Sequence, residues 1–376
     1  MKAVLVVIDG LADNRIAGLG DRTTFASAKH RYIDGLAREG FYGYLDACPQ
    51  GYVPESMVCI LNLLGISKEF YPPGRSSLEV LSAGYPLAED EVVLRCNLIS
   101  IDNQKRLISF NGGSLTREEM EKASEYITKA VSKVKFIPLA DYRNLLVLKK
   151  KYFTHLNVTP SPPHENLGES IEKLIAPICS SSEIIKDFFY SSAQVLRAFK
   201  DPEHNYLFYP WGISPGNHLP SFQKMYKRKA AAVCCADIAR GIALALGMYV
   251  PKLQGVTGDT DTDLQLKAKT ACSLLADYEF VFVHINGTDE AAHKCDYWGK
   301  VKFIERIDEE FVGYLLANID KHTKVMICTD HATDPLNGKH VHLPVPFFIR
   351  EAFINGLETC QQIKSPADAL QYLLSE

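Results

Sequence analysis

Six polar side chains stand at places where an apolar run ends. Asp9 follows the run KAVLVVI at 2–8, Asp289 and His293 follow FVFVHI at 280–285, Asp330 and His331 follow KVMIC at 324–328, and His340 precedes VPFFI at 345–349. Three carboxylates and three imidazoles make a set that can bind metal. Asp289 and His293 are four residues apart, so on a helical turn both face the same way and can share one ion. Asp330 and His331 are neighbours, and on an extended segment they point to opposite sides, which lets them serve two adjacent ions or bracket one. Mixed oxygen and nitrogen donors suit Zn²⁺ or Mn²⁺ better than Ca²⁺. Taken singly, each residue has an ordinary alternative, since an Asp after a strand often caps a helix and a buried His is usually just hydrogen-bonded. Their coincidence at the ends of strands that share a sheet is what favours the metal.

Such a site needs a nucleophile, and Gly51-Tyr52-Val53-Pro54-Glu55-Ser56 offers one. Ser56 opens the apolar helical stretch MVCILNLLG, where free backbone N–H groups and the helix dipole favour a bound phosphate. A nearby cation would lower the hydroxyl pKa and make it nucleophilic. A plain N-cap is the competing role, and the segment alone favours it.

The elements that must position these groups are legible as pattern. The runs at 2–8, 280–285, 324–328 and 345–349 are continuous in β-branched and aliphatic residues, as in strands covered on both faces. Helical periodicity at 264–276 and 300–319 separates them, and this alternation predicts an α/β fold with a mostly parallel sheet flanked by helices. Functional groups in such sheets gather beyond the carboxyl ends of the strands. From about 100 to 205 the texture changes: polar turns at Asn111-Gly112-Gly113, a capped helix starting near Thr116, short strands at 134–138 and 144–149, and the Pro-rich bend at 159–163. This predicts an inserted, smaller α+β domain over 101–205, with 1–100 and 206–376 forming the main domain.

Bulk composition narrows the partners. The chain has 376 residues, 47% of them hydrophobic, which is enough for two cores. A formal net charge of -4 without a basic cluster argues against nucleic acid and acidic membrane surfaces. Ten cysteines without a CxxC pair fit reduced thiols, and neither a secretory leader nor a spanning run is evident, so a cytoplasmic location is expected. A homo-oligomer is left open.

Several segments together resemble the archaeal-type cofactor-independent phosphoglycerate mutases of the alkaline-phosphatase superfamily, with their bacterial homoserine-kinase-like relatives. They are VVIDGLAD, LGDRTTFASAKHRYIDGLAREG, GRSSLEVLSAG, LRCNLISI, LPSFQKMYKRKAAAV, GVTGDTDTDLQLKAKTA, FVFVHINGTDEAAH and TDHATDPLNGKHVHLPVPFFI, in the family's order. The resemblance implies an alkaline-phosphatase-like sheet. It also implies two divalent ions, Mn²⁺ or Zn²⁺ with Mg²⁺ as a third option. One would be held by Asp9, Ser56, Asp330 and His331, the other by Asp289, His293 and His340, with His342 as an alternative for the last. The implied reaction is attack by Ser56 on a phosphomonoester, an in-line transition state and a phosphoserine intermediate, under an inserted domain that closes over a small phosphorylated metabolite. Arg75, Arg95, Arg143 and Lys229 match family positions that bind the anionic groups of the substrate.

The chain departs from the family pattern in places. Glu55 precedes the serine, Met57 follows it, and Ile60 stands where the family has a histidine. An arginine-rich segment of the insert appears as Ser109-Phe110-Asn111-Gly112-Gly113-Ser114, which cannot supply bidentate charge. A later DPH-containing turn appears as Pro162-Pro163-His164, and Tyr209-Pro210-Trp211-Gly212 is similar to the homoserine-kinase-like relatives. Metal ligands are kept while substrate-binding charges are lost. The leading expectation is therefore a phosphoglycerate mutase-like phosphomutase. The alternatives are transfer to another acceptor, hydrolysis, or an inactive metal-binding relative.

Overall fold

Burying a Val or Ile side chain contributes about 1.5–3 kcal/mol, so a run apolar at every position is most stable where both faces of a strand are covered. In a computed structural model that describes residues 1–112, 115–130, 133–139, 141–156, 161–197, 205–350 and 363–375, these runs take that place. The chain forms two units, Met1–Tyr71 with His218–Glu376, and Pro72–Asn217.

The first unit is built on a six-stranded sheet. Its strands are β1 (Ala3–Ile8), β2 (Phe41–Leu45), β8 (Ala230–Val233), β9 (Phe280–Ile285), β10 (Lys324–Cys328) and β13 (Val345–Arg350), in the order β2-β13-β10-β1-β9-β8. β8, β9, β1 and β10 run parallel, while β13 and β2 add an antiparallel edge. Every residue of β1 and β9 is buried. Val4, Val6 and Ile8 pack with Val281, Val283, Ile285, Val325 and Ile327 on one face, under the helices Arg31–Glu39, Leu264–Leu274 and Tyr297–Arg306. In-register pairing of Val7 with both His284 and Cys328 sets these three on the opposite face. Beyond β10 the chain turns into a hairpin of β11 (Ala332–Asp334) and β12 (Lys339–Val341), in which Thr333 pairs with His340.

The second unit is an antiparallel sheet of β3 (Glu91–Ile101), β4 (Leu107–Ser109), β5 (Lys135–Pro138), β6 (Arg143–Lys149) and β7 (Asn205–Pro215), in the order β4-β3-β6-β5 with β7 also paired to β3. Helices Arg117–Ala130, Ile171–Ser181 and Glu183–Leu196 cover one face. The first of these starts at a capping box: Glu119 accepts from the Thr116 N–H (2.8 Å) and the Thr116 hydroxyl accepts from the Glu119 N–H (3.3 Å). The opposite face packs Val93, Leu145 and Val147 against Val80 of the helix Ser76–Ser82. The expected boundaries at 100/101 and 205/206 fall inside β3 and β7, and the second unit extends from Pro72 to Asn217 instead. The reason is pairing: β3 and β7 read as strands of the main sheet, yet they bond to each other along most of their length.

Candidate metal centre

The carboxyl ends of β1, β9 and β10 converge with the helix Ser56–Leu63 and the β11–β12 hairpin, all within the first unit. Asp9 is the residue after β1, and its N–H donates to the Ile285 carbonyl (2.9 Å). Asp330 follows β10, and its Oδ1 accepts from the N–H groups of Gly10 (3.2 Å) and His331 (2.9 Å). Gly10 has a φ of +61°, and a Cβ there would lie 2.6 Å from Asp289 Oδ1, so both the turn and the close approach require glycine. Asp289 and His293 lie on the short helix Gly287–His293, and as expected for their spacing they meet, with Oδ2 and Nε2 3.1 Å apart.

The hydrogen-bond partners assign the imidazole protons. His293 Nδ1 faces the Gly338 carbonyl (2.8 Å) and His340 Nδ1 faces the Pro54 carbonyl (2.9 Å), and a carbonyl only accepts. Both rings therefore carry their lone pairs on Nε2, yet these two atoms are 3.2 Å apart. Asp289 closes the group, its Oδ1 3.7 Å from His340 Nε2. Thr333 donates its hydroxyl hydrogen to Asp289 Oδ1 (2.6 Å), so it can only accept from His331 Nδ1 (3.2 Å). That leaves His331 Nε2 with a lone pair facing Asp9 Oδ1 (3.3 Å), Asp330 Oδ2 (3.6 Å) and Ser56 Oγ (3.3 Å).

Lone pairs so arranged repel one another unless a cation lies among them. Two donor atoms each about 2.0–2.1 Å from one tetrahedral ion are about 3.4 Å apart, which matches these contacts. Asp9 Oδ1 and Asp330 Oδ2 are buried without a hydrogen-bond partner among the described residues, a further sign of a missing positive charge. Two groups of donors close enough for an ion stand out among the described residues, Asp289 with His331 and His340, and Asp9 with His284 and Asp330. The residues present thus fit divalent cations.

Charge regulation points the same way. Burial, with Asp330 and Asp289 nearby, holds the Asp9 carboxyl well above the usual range. The Asp289 bond raises His293 to about 9 despite burial. Burial and then His331 lower His340. A proton on His293 is the nearest substitute for the missing cation.

Ser56 is the first residue of its helix, not the cap. Glu55 occupies the cap position without a side-chain bond, and the first intrahelical bond is from the Cys59 N–H to the Glu55 carbonyl (3.1 Å). The hydroxyl is directed to His331, and the N–H groups of Ser56, Met57 and Val58 precede that bond.

Of the expected site residues, Asp9, Ser56, Asp289, His293, Asp330, His331 and His340 come together. His342 does not, since it pairs with Asp46 (3.3 Å) beyond the end of β12. Lys229 also stays apart: it is exposed and immediately precedes β8, at the amino ends of the parallel strands. Arg75, Arg95 and Arg143 assemble in the second unit around Glu79, which accepts from Arg75 Nε (2.9 Å) and pairs with Arg95 Nε (3.1 Å). Burial would raise the Glu79 carboxyl, but Arg95, Arg75 and Arg143 outweigh it and hold it low. Arg95 stacks over Trp211 (4.6 Å), whose indole N–H donates to Asn97 (2.9 Å), and His164 packs edge-on against the same ring.

Sequence reasoning passed over Glu79, Thr333 and His284. His284 left one signal, a lone imidazole inside an aliphatic strand, two positions before its end.

Sequence and structure comparisons agree. A family model described as 2,3-bisphosphoglycerate-independent phosphoglycerate mutase matches residues 37–200. The protein of that name (number 2) from Methanothermobacter thermautotrophicus is 30% identical, with 92% of this chain and 88% of the relative covered. The one from Ignicoccus hospitalis is 33% identical, with 93% and 88% covered. Among solved structures, the PH0037 protein from Pyrococcus horikoshii superposes with a TM-score of 0.75 at 27% identity, covering 93% of this chain and 87% of that one. The cofactor-independent phosphoglycerate mutase from Thermoplasma acidophilum shares the fold, with a TM-score of 0.65 at 20% identity over 100% and 99% of the two chains. With its ordered acid–imidazole cluster beside a serine and relatives matched over nearly their whole length, this chain belongs to the 2,3-bisphosphoglycerate-independent phosphoglycerate mutase family.

Proposed function

We propose that this chain interconverts phosphoglycerate isomers by passing the phosphoryl group through Ser56. The observation that carries the reading is Ser56 Oγ, 3.3 Å from the lone pair of His331 Nε2 in a cluster of buried acceptors that lack protons. Asp9, Ser56, Asp330 and His331 would hold one divalent cation, and Asp289, His293 and His340 the other, with Mn²⁺ or Zn²⁺ as the chemically matched ions and Mg²⁺ as a third. Such cations lower the pKa of a hydroxyl and offset the charge on phosphoryl oxygens.

In the first half-reaction Ser56 Oγ gives up its proton and forms a bond to phosphorus while the substrate's ester P–O bond breaks, leaving a phosphoserine and a free glycerate hydroxyl. In the second, a glycerate hydroxyl forms the new ester and Ser56 Oγ leaves. The unbonded N–H groups of Ser56, Met57 and Val58 at the helix start favour the nonbridging phosphoryl oxygens. Arg75, Arg95 and Arg143 bind the anionic groups of the substrate, a task suited to guanidinium forks.

The test is direct. Purified protein with Mn²⁺ and 3-phosphoglycerate should form 2-phosphoglycerate. Turnover of p-nitrophenyl phosphate without any 2-phosphoglycerate would rule the mutase out. A second reading, transfer to a different acceptor, is favoured by the uncharged segment Ser109–Gly112 and by Trp211 beside Arg95. It predicts phosphorylated homoserine, or another amino alcohol, from the same assay with that acceptor added.

A further inference from the structure

His284 is fully buried in the middle of the parallel sheet, a place where an imidazole has no structural advantage over the aliphatic residues on either side. The sheet register explains where it points. His284, Val7 and Cys328 are paired across β9, β1 and β10 and share a face. One row further along that face, two residues on, β1 and β10 lead to Asp9 and Asp330. The side chain therefore forms the floor beneath these two carboxylates. Its Nε2 is 3.3 Å from Asp9 Oδ2, and its donor set with Asp9 and Asp330 is tight enough for one ion.

Neither ring nitrogen has a hydrogen-bond partner among the described residues, and the contact to Asp9 does not have hydrogen-bond direction. A buried unsatisfied donor or acceptor costs about 1–3 kcal/mol. Here four such atoms, Asp9 Oδ1, Asp330 Oδ2 and both nitrogens of His284, belong to three neighbouring side chains. A hydrogen-bonded core histidine would not show this pattern. Asp9 also presents its two oxygens differently, Oδ1 to His331 and Oδ2 to His284.

We propose that His284 is an additional protein ligand of the metal centre, binding through Nε2 to a divalent cation shared with Asp9 and Asp330, so that the centre is served by four imidazoles instead of three. This rests on the metal reading given above. His284 thereby anchors the carboxylate that lies between it and the His331–Ser56 side.

The intact protein loaded with Co²⁺ provides the test. Each coordinated imidazole whose other nitrogen keeps its hydrogen gives one exchangeable proton resonance far outside the diamagnetic range. Four such resonances are expected, from His284, His293, His331 and His340, and His284→Gln or His284→Phe should remove one of them. Calorimetric titration of both variants with Mn²⁺ should show one site weakened at least 100-fold and the other within about threefold, with the circular dichroism of the native fold retained. Three resonances in the unmutated protein, or unchanged titrations in a folded variant, would overturn the role of His284 while leaving the metal centre intact. Absence of any shifted resonance would instead overturn the metal reading itself. If neither variant folds, the count in the unmutated protein decides.

Discussion

Two clusters of charge in this molecule are built on opposite principles. In the first unit, carboxylates and imidazole lone pairs face one another with too few protons among them, and Asp9 and Asp330 keep buried oxygens without partners. In the second, three guanidiniums share the single buried carboxylate of Glu79, which already accepts from two of them. The acidic cluster is incomplete without cations, whereas the basic one holds itself together and keeps positive charge in excess for an anion. Low dielectric makes both arrangements costly to disturb, but in opposite directions.

Removing the nucleophile should produce the largest effect. Ser56→Ala is expected to lower turnover by on the order of 10⁴-fold or more with the fold retained, measured by phosphoglycerate interconversion alongside circular dichroism. Retained turnover would separate the cluster from the chemistry.

The next effects are on stability, and their signs distinguish the two regions. Glu79→Gln strands the buried Arg95 guanidinium and should cost about 3–5 kcal/mol in chemical denaturation. Asp9→Asn should do the reverse in metal-free protein, raising its melting temperature by removing a repelled buried carboxylate, while abolishing the stabilisation that Mn²⁺ confers on the wild type. Equal signs for the two substitutions would break the comparison.

Smaller still is the loss of an orienting group. Thr333 ties Asp289 to His331 through one hydroxyl, and the Lys300 ammonium, paired with Asp13 (2.8 Å), donates to the Thr333 carbonyl (3.1 Å). Thr333→Val should weaken Mn²⁺ binding by about 10–100-fold, read by calorimetry, with little change in metal-free stability.

The smallest effect is in pH dependence. His293 is raised to about 9, so its contribution in metal-free protein is complete below its ordinary value near 6.5 and fades as pH rises through about 9. The melting-temperature gap between wild type and His293→Gln should therefore narrow from pH 7 to pH 9.5. The Glu79 carboxyl is lowered, so its contribution is present above 4.5 and lost as pH falls through its folded value; the Glu79→Gln gap should narrow in acid instead. A gap that narrowed in the same direction for both would contradict the contrast.

The acid–imidazole set was readable before any coordinates because its logic is local: donor residues directly follow apolar runs, and a parallel sheet brings the carboxyl ends of its strands together. Asp9, Asp289, His293, Asp330, His331 and His340 all follow that rule, and Ser56 is found from its place at a helix start. The arginines were found by resemblance, without their geometry, and Lys229 shows the limit of that route, since it stands at the amino ends of the strands.

Chain order and residue type alone thus settled the α/β alternation, the donor set and the presence of an insert, because each depends on periodicity or on what immediately follows a strand. Long-range pairing decided the rest. Whether β3 and β7 join the main sheet or bond to each other, whether His340 or His342 turns inward, and whether an imidazole in the middle of β9 lies beneath two carboxylates all depend on register between segments far apart in the chain. A one-residue slip in any of these would leave the local patterns intact and reverse which side chains meet.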